Sequence, residues 1–511
     1  MKQVFNPYMP LNEYVPDGEP HVFGDRVYVY GSHDKENGEA FCMLDYVCYS
    51  APVTDLTDWR YEGVIYEAKN EPNYERYPYM FAPDVVQGND GKFYLYYSSA
   101  RHYPDCSYVM SVAISDTPAG EFKFLGYVKN SDGTPMTEGV IFDPGLINDN
   151  GTIRLYYGMQ WDFEEIMDTE SAISTQMEMF HKTREEVINN GEGVMGAYTV
   201  ELCDDMLTVK HKPVRILPRY VKGTDFEAHP FFEASSIRKI GDKYYFVYSS
   251  FNGHELCYAT SDYPDRDFKY QGVIVSNGDI GINDRQEPDK LMRTGNNHGG
   301  IEQINGEWYV FYHRHTTKTE LSRQGCAEKI QILPNGKIPQ VEITSCGLNG
   351  GPLVAKGAYP SIICCNLTNG HMPRGQCVEM TLPHIICKNG ERFISEIENG
   401  TLIGYKYFLV GDVSEFYIKY RTCADEPTGK ISVFLGQNEV GKIKIDPSAD
   451  WTYAKTKIKV MEGTYPLYLK YEGTDLIDLI EIGFGGTNEN TAYYFRMAGA
   501  VQTARNRKLH K

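Results

Sequence analysis

The strongest constraint on the fold is a short phrase that recurs five times in the first 340 residues. Each copy is a glycine turn followed by a run of aromatic and β-branched residues, which is typical of a hairpin that leads into a strand. The copies begin at Gly24, Gly91, Gly151, Gly241 and Gly306. Five copies of one supersecondary unit predict a repeat architecture, because a single unit cannot bury its apolar face alone.

An ionisable residue stands seven or eight positions before each of these glycines. In chain order these residues are Asp17, Asp84, Asp143, Glu233 and His298. If the units are arranged radially, equivalent positions converge on one axis. Four carboxylates and a histidine would then meet in one place, and that composition indicates an active site.

The spacing of the repeats indicates a propeller. The glycines are 67, 60, 90 and 65 residues apart, and a blade of four antiparallel strands needs roughly 40–60 residues. Five blades therefore fill residues 1–340, and the long interval holds an insertion at 161–225. Within it, residues 170–187 predict a helix that covers a loop face, or alternatively forms a lid or subsite wall. The apolar face of that helix is Ile173, Met177, Phe180 and Val187.

The rest of the chain predicts a second domain. A connecting segment is expected at 341–365, where Gly347-Leu-Asn-Gly-Gly-Pro lies. From 366 to 511, short alternating strands with turns every 8–14 residues predict a β-sandwich or jelly roll. The predicted fold class is thus all-β, with a five-bladed β-propeller followed by a β-sandwich.

Composition narrows the classes of partner. The chain has 511 residues, too many for one core, and a net charge of −19, which argues against nucleic acid and anionic membranes. No apolar run is long enough to span a membrane.

The first residues lack the apolar core of a signal peptide, so a cytoplasmic location is expected; secretion after removal of a signal is the alternative. None of the twelve cysteines forms a CxxC pair, which predicts reduced thiols and no zinc.

Three of the carboxylates suggest acid–base chemistry. Phe231 and Phe232 should desolvate Glu233 and raise its pKa, as a general acid requires. Asp17 lies in a tight polar turn, where a carboxylate stays ionised and can hold water, and the charge of Asp84 would keep the proton on Glu233. A protonated and an ionised carboxyl are the minimum for glycoside hydrolysis. The competing interpretation is that each acid only caps backbone amides at the start of a strand.

The N-terminal domain resembles glycoside hydrolase family 43, a five-bladed propeller family of inverting glycosidases. The matching segments are Pro16-Asp-Gly-Glu-Pro-His-Val-Phe-Gly-Asp-Arg-Val-Tyr-Val-Tyr-Gly-Ser-His-Asp, Ala82-Pro-Asp-Val, Phe142-Asp-Pro-Gly, Phe232-Glu-Ala-Ser-Ser-Ile and Tyr312-His-Arg. By this resemblance, Asp17 is the general base, Glu233 the general acid and Asp84 the residue that tunes and orients the acid. Gly18 stands where the family often has Pro, so Glu19 competes weakly for the role of base.

The resemblance also implies binding residues. His298 matches the axial histidine, which often neighbours a calcium or sodium ion through water, although no cofactor is expected to be required. Arg323 matches an arginine that contacts the sugar next to the scissile bond. Phe81 stands where the family often has Trp, so stacking in that subsite is expected to differ. Asp143, at the blade III position, is assigned a structural role.

The second domain resembles carbohydrate-binding module family 6. The segments that carry the resemblance are Asn399-Gly-Thr-Leu-Ile-Gly-Tyr-Lys, Gly429-Lys-Ile-Ser-Val-Phe-Leu-Gly, Asp450-Trp-Thr-Tyr and Gly463-Thr-Tyr-Pro-Leu-Tyr-Leu-Lys-Tyr-Glu-Gly. Such modules tend to have an Asp-Trp pair near the end, which this chain lacks. Sugar binding, with Trp451 and Tyr453 as stacking candidates, and a purely stabilising role both remain open.

The expected function is exo-acting, inverting hydrolysis of plant cell-wall pentose oligosaccharides, as a β-xylosidase, an α-L-arabinofuranosidase or both. An inverting enzyme requires the two carboxyl groups to lie roughly 6.5–9.5 Å apart. Alternatives are a galactofuranosidase or another furanosidase of the same fold, and a catalytically inactive sugar-binding propeller. A retaining fructosidase is disfavoured because a Trp-Met-Asn-Asp-Pro start is absent. The oligomeric state is left open.

Overall fold

The computed structural model describes residues 2–72, 79–100, 108–161, 170, 173, 174, 177, 183–189, 195–423 and 429–486. Within them, nineteen strands form five antiparallel sheets, and each sheet follows chain order from one edge to the other. Blade I contains β1 (Glu19–Phe23), β2 (Arg26–Tyr30), β3 (Tyr46–Pro52) and β4 (Arg60–Tyr66). Blade II contains β5 (Pro83–Gln87), β6 (Phe93–Ala100), β7 (Tyr108–Ser115) and β8 (Lys123–Tyr127). Blade III contains β9 (Gly145–Asp149), β10 (Thr152–Met159), β11 (Gly196–Glu201) and β12 (Val214–Arg215).

Blade IV contains β13 (Phe231–Ile240), β14 (Lys243–Ser250), β15 (Glu255–Ser261) and β16 (Lys269–Ser276). Blade V has three described strands, β17 (Ile301–Ile304), β18 (Glu307–His315) and β19 (Arg323–Ile330). The first strands of neighbouring blades contact one another around the ring: β1 with β5, β5 with β9, β9 with β13, β13 with β17, and β17 with β1. The five first strands therefore surround one axis, as the repeat predicted.

The ring closes between the first and last blades. A parallel bridge joins Gly18, just before β1, to Gly299, just before β17. The N-terminal segment reinforces this seam, because the amide of Asn6 donates to the carbonyls of Ala327 and Thr344, both at 3.0 Å. The chain's start is thus anchored on its fifth blade.

Tyrosines account for much of the packing between blades. Tyr46, Tyr66 and Tyr97 are fully buried in the core shared by blades I and II. Their polar ends stay paired, since the Tyr97 hydroxyl lies 2.9 Å from that of Tyr66 and donates to Glu71 at 2.6 Å. A ring that packs like a hydrocarbon and ends in a satisfied hydroxyl suits this position.

Two further sheets form the second domain. The first contains β20 (Leu353–Val354), β22 (Asn366–Thr368), β25 (Leu402–Val410), β27 (Gly429–Leu435), β28 (Asn438–Ile445) and β30 (Gly463–Gly473). The second contains β21 (Gly357–Pro360), β23 (His384–Lys388), β24 (Glu391–Ile397), β26 (Glu415–Thr422), β29 (Thr452–Lys457) and β31 (Ile477–Gly485). One apolar core lies between them, which confirms the predicted β-sandwich. The sandwich begins inside the predicted connecting segment, because β20 and β21 already pair with its strands.

Buried polar contacts join the two domains. Lys406 Nζ lies 2.6 Å from Asp279 Oδ2, and both side chains are almost fully buried. Asn366 donates to the same carboxylate at 3.0 Å. Arg314 of blade V donates from both terminal nitrogens to the carbonyls of Cys364 and Ile362 at 2.7 Å. The sandwich is therefore packed on the propeller through specific, desolvated contacts.

The described helices are few and short. Residues 170, 173, 174 and 177 of the predicted helix are helical, with Ile173 buried, and α1 covers Arg184–Asn189. Phe180 lies outside the described residues. Short 3₁₀ turns occur at Ala68–Asn70, Asn277–Asp279, Ile282–Asp284, Glu287–Asp289 and Ser361–Ile363. No helix in the described part of the chain is long and apolar enough to cross a membrane. The eleven described cysteines are all free thiols.

Candidate active site

The acidic residues of three blades occupy one level of the propeller axis, where the first strands begin. Tyr30 of blade I and Tyr156 of blade III hold equivalent positions, and they pair with Glu19 and Gly145 of the first strands. Asp17 and Asp143 each lie two residues before these paired residues, so they are at the same level. Glu233 pairs with Ser249, at the corresponding level of blade IV. His298 reaches the same level in blade V, with its Nδ1 3.5 Å from Asp143 Oδ2. Four of the five predicted residues therefore meet.

Asp84 does not share that level. It pairs directly with Tyr96, the counterpart of Tyr30, so it corresponds to Glu19 and lies two residues, or about 7 Å, further along the strand. Asp84 lies as many residues before its repeat glycine as Asp17 does, but this equal spacing was misleading because the hairpins that contain the glycines differ in length. Residues 88–92 separate β5 from β6, whereas only residues 24–25 separate β1 from β2. The structure brings Asp143, not Asp84, beside the acid.

Asp17 is held as a carboxylate. Its Oδ1 accepts from Arg323 Nη1 at 2.9 Å and lies 3.1 Å from Nδ1 of the buried His313. Burial alone would raise the pKa of Asp17, but the Arg323 charge, the His313 hydrogen bond and the neighbouring His298 together hold it well below its usual range. Asp17 is therefore ionised across the whole working range of a typical enzyme.

Glu233 has the opposite electrostatic environment. Burial and then the negative charge of Asp17 raise its pKa to about 8, against the Arg323 charge and a hydrogen bond from Asn296. Burial, Glu233 and Asp17 likewise raise the pKa of Asp143 well above its usual range. Glu233 and Asp143 titrate as a pair, because two carboxyls this close and this buried cannot both ionise easily. The pKa directions therefore indicate an ionised Asp17 and a proton shared by Glu233 and Asp143.

The backbone is strained where the acids sit. Asp17 and Asp143 have φ values of 58° and 46°, and Ala234, directly after the acid, has 71°. Left-handed non-glycine residues are uncommon and cluster at functional sites. The pairing of β13 with β14 is also irregular on both sides of Glu233. A β-bulge of this kind re-aims a side chain, here toward the axis.

His298 is buried, and burial lowers its pKa to about 4 despite the charge of Asp17. It is therefore neutral near pH 7. Among the described residues, no group of three convergent protein ligands includes His298, so the residues present do not fit a directly coordinated calcium ion. Water-mediated ion binding stays a prediction.

The structure places Arg323 next to Asp17 and also pairs it with a second acid, Asp34. Arg323 is only 2% exposed. In addition to its contact with Asp17, its guanidinium donates to Asp34 from Nε at 2.9 Å and from Nη2 at 3.0 Å. Phe81 packs its ring 5.2 Å from that of Phe142, in an apolar cluster that includes Trp161. A sugar contact by Arg323 or Phe81 stays a prediction.

A second charged layer lies one step further along the axis. Glu19 Oε1 pairs with Arg238 Nη1 at 2.8 Å, and His21 Nε2 lies 2.6 Å from Asp84 Oδ1. Asp84 also accepts the amide of Leu146 at 2.6 Å. Ligand atoms of Glu19, His21 and Asp84 lie within 4.8 Å of one another, so this group could hold a metal ion. Glu19, the weaker candidate for the base, belongs to this layer and not to the level of Asp17.

Four residues of the site escaped prediction: Asp34, Asn296, His313 and, as a partner of the acid, Asp143. Asp34 and His313 lie in segments that carried the family resemblance, namely Ser32-His-Asp and Tyr312-His-Arg. Asp34 contacts Arg323 across 289 residues, and His313 contacts Asp17 across 296 residues. One sequence carries no signal of these pairings.

The axis of this five-bladed propeller brings together a carboxyl with a lowered pKa, Asp17, and one with a raised pKa, Glu233, which are the groups that glycoside hydrolysis requires. Comparison with known proteins agrees. Residues 13–338 match the model of Glycosyl hydrolases family 43. The chain therefore belongs to glycosyl hydrolase family 43 and is an enzyme that cleaves glycosidic bonds.

Relatives cover most of the chain. A xylosidase/arabinosidase from Thermoclostridium stercorarium is 44% identical over 491 residues, covering 93% of this chain and 97% of that protein. A xylosidase/arabinosidase from Bacteroides ovatus is 30% identical over 323 residues, covering 60% and 87%. Among solved structures, the GH43_1 enzyme from Xanthomonas citri complexed with xylose matches with a TM-score of 0.51 at 24% identity, covering 67% of this chain and 94% of that one. This likeness supports the fold.

Proposed function

We propose that the protein is an exo-acting, inverting glycosidase of pentose oligosaccharides, with β-xylosidase activity, α-L-arabinofuranosidase activity or both. The observation that carries the chemistry is the opposite shift of two pKa values. The pKa of Asp17 is lowered beside Arg323, and the pKa of Glu233 is raised by burial and by the charge of Asp17. The sugar class is supported by the relative named xylosidase/arabinosidase, which matches nearly end to end.

In the proposed reaction Glu233 donates its proton to the glycosidic oxygen as the bond to the anomeric carbon breaks. A water molecule on the opposite face attacks that carbon and gives a proton to Asp17. Attack opposite the leaving group inverts the anomeric configuration. Asp17 with its lowered pKa is a weak base, but water becomes acidic as it bonds to an oxocarbenium-like carbon. Proton exchange with solvent then restores both carboxyls.

We assign to Asp143 the role expected for Asp84. Asp143 Oδ2 accepts the amide of Ala234 at 3.1 Å, so this carboxyl is fixed next to the acid. It shares the proton of the pair, and any negative charge on it keeps Glu233 protonated. Asp17, Asp143 and Glu233 are only 4%, 3% and 7% exposed, so the acids lie deep in the propeller.

The test is hydrolysis of p-nitrophenyl β-D-xylopyranoside, α-L-arabinofuranoside and β-D-galactofuranoside by the wild type and by Asp17→Ala. Turnover of one or both pentosides, lost in the variant, would support the proposal. Turnover of the galactofuranoside alone would move the specificity to the alternative furanosidase. Proton NMR of the first product formed from xylotriose reports the anomer, and retention of configuration would refute the inverting mechanism.

A further inference from the structure

The loop between β2 and β3, residues 31–45, links the general base to the second domain. Asp34 in this loop is completely buried and receives three hydrogen bonds from Arg323, two from the guanidinium and one from the backbone amide at 3.1 Å. The remaining terminal nitrogen of Arg323 donates to Asp17. The position of Asp34 therefore determines where the guanidinium points, and with it the orientation of the base.

Two residues further on, the same loop meets the sandwich. Glu36 accepts from Arg392 of β24 through Nε at 2.9 Å and Nη2 at 2.6 Å. This is a two-point ion pair, in which both side chains are about four-fifths buried. The hydroxyl of Tyr14, three residues before Asp17, donates to the same carboxylate at 2.8 Å. A planar guanidinium bound at two points fixes direction as well as distance.

The loop has a third attachment on the opposite side. The amide of Asn37 donates to Ser322 Oγ at 3.1 Å, and Ser322 directly precedes Arg323. Glu36 thus stands between two contacts that both reach Arg323, one through Asp34 and one through Ser322. From the sandwich, Glu36 receives the charged two-point contact of Arg392 and also lies beside the neutral thiol of Cys387.

We propose that Arg392 of the second domain is a positioning residue for the general base, acting through Glu36, the β2–β3 loop, Asp34 and Arg323. The sandwich then contributes to turnover itself, whether or not it binds sugar. The inference rests on the proposed function, because it takes Asp17 as the base. It concerns geometry and not substrate contact, so it affects the chemical step more than binding.

The expected size follows from positioning. Displacing a reacting group by about 1 Å can cost a hundredfold in rate, and a loosened loop should displace Asp17 by less. Arg392→Ala is therefore expected to lower kcat about tenfold while KM changes by less than about twofold. Glu36→Arg should do the same, because it places two like charges together.

The decisive experiment combines these variants. The double variant Glu36→Arg with Arg392→Glu restores the ion pair with reversed polarity and should recover most of the lost kcat. Arg421→Ala is the matched control, since Arg421 pairs with Asp478 at 2.7 Å inside the sandwich at comparable exposure. It should keep the wild-type kcat. Melting temperatures of all variants are measured, and kinetics are run well below the lowest of them.

Three outcomes would overturn the inference. Arg392→Ala with a reduced melting temperature but wild-type kcat would mean that the ion pair only joins the domains. A double variant as slow as the single ones would mean that Arg392 does not act through Glu36. Equal losses in Arg421→Ala would mean a general effect of damaging the sandwich. A wild type that is inactive on every glycoside would instead refute the proposed function and, with it, this inference.

Discussion

Asp143 accepts a hydrogen bond from the backbone amide of Ala234 at 3.1 Å, and this contact ties the acid of blade III to the residue that follows Glu233. Both residues have left-handed backbones, with φ of 46° and 71°. The contact holds two strained segments in register across a blade boundary. It explains how two carboxyls that repel each other when ionised stay side by side.

The first prediction separates Asp143 from Asp84. Asp143→Asn removes the carboxyl that shares a proton with Glu233. An Asn cannot ionise, so it cannot hold the last proton of the pair on Glu233, and the basic limb of kcat/KM should move to lower pH. Asp84→Asn should leave that limb in place. Asp84→Asn should lower the melting temperature instead, since the Asp84 carboxylate accepts hydrogen bonds from the amides of Leu146 and Val85 and contacts the imidazole of His21. Identical pH profiles for both variants would contradict the assignment.

The second prediction uses the leaving group. Glu233→Gln cannot donate a proton, so kcat on xylobiose should fall about 10²–10⁴-fold. On a nitrophenyl glycoside the loss should be much smaller, because nitrophenolate leaves without protonation. Asp17→Ala should lose activity on both, since every substrate needs an activated water. Steady-state kinetics on the two substrates measure the contrast, and equal losses in Glu233→Gln would refute its role as acid.

A third prediction concerns stability. The folded-state pKa of Glu233 is about 8, above its ordinary value of 4.5. The stabilisation from the bound proton is fully present below pH 4.5 and is lost as pH rises from 4.5 to about 8, because only the folded state holds that proton in this range. Glu233→Gln cannot ionise, so its melting temperature should exceed that of the wild type by a few degrees at pH 9 and by little at pH 4.5. Thermal unfolding at both pH values tests this, and a constant difference would contradict it.

The fourth prediction tests the domain junction. Lys406→Ala leaves Asp279 buried without its cation, which typically costs about 3–5 kcal/mol. The matched control is Lys430→Ala, which breaks a pair of similar length, 2.8 Å, between side chains that are nearly half exposed. Such exposed pairs contribute about 0–1 kcal/mol. Denaturant unfolding measures both changes, and equal effects would mean that the Lys406 contact is effectively solvated.

The fifth prediction concerns metal. An ion beside His298 would be held only through water, since no three described ligands converge there. We therefore expect turnover not to depend on an ion at this position. Dialysis against EDTA should leave kcat within about twofold, and added calcium should not raise it further. Loss of activity that calcium restores would show that a hydrated ion at the axis takes part after all.

The sequence was informative where local chemistry and repetition coincide. Glycine turns followed by aromatic strands marked all five blades, and the expectation of a raised pKa for Glu233 agrees with its burial. The number of residues before the glycine turn did not predict the axial level of Asp84, because the length of the hairpin differs from blade to blade. Only the strand ladder, which pairs Asp84 with Tyr96, establishes the true level.

Long-range partners were beyond prediction for a different reason. Asp34 and Arg323 are 289 residues apart, and neither has a local pattern that points to the other. The same holds for Glu36 and Arg392, which join separate domains. A single chain gives residue types and spacings, whereas these pairs arise from the way the ring closes and the sandwich packs on it.

The pairing of Asp17 with Arg323 crosses the seam of the ring, where the first blade meets the last. The base is thus completed by a residue that leaves the ribosome 306 positions later. A nascent or partly folded chain therefore has no working base, however well its early blades have formed. Hydrolysis begins only when blade V has packed against blade I and closed the ring. The appearance of turnover during refolding therefore measures the time of ring closure.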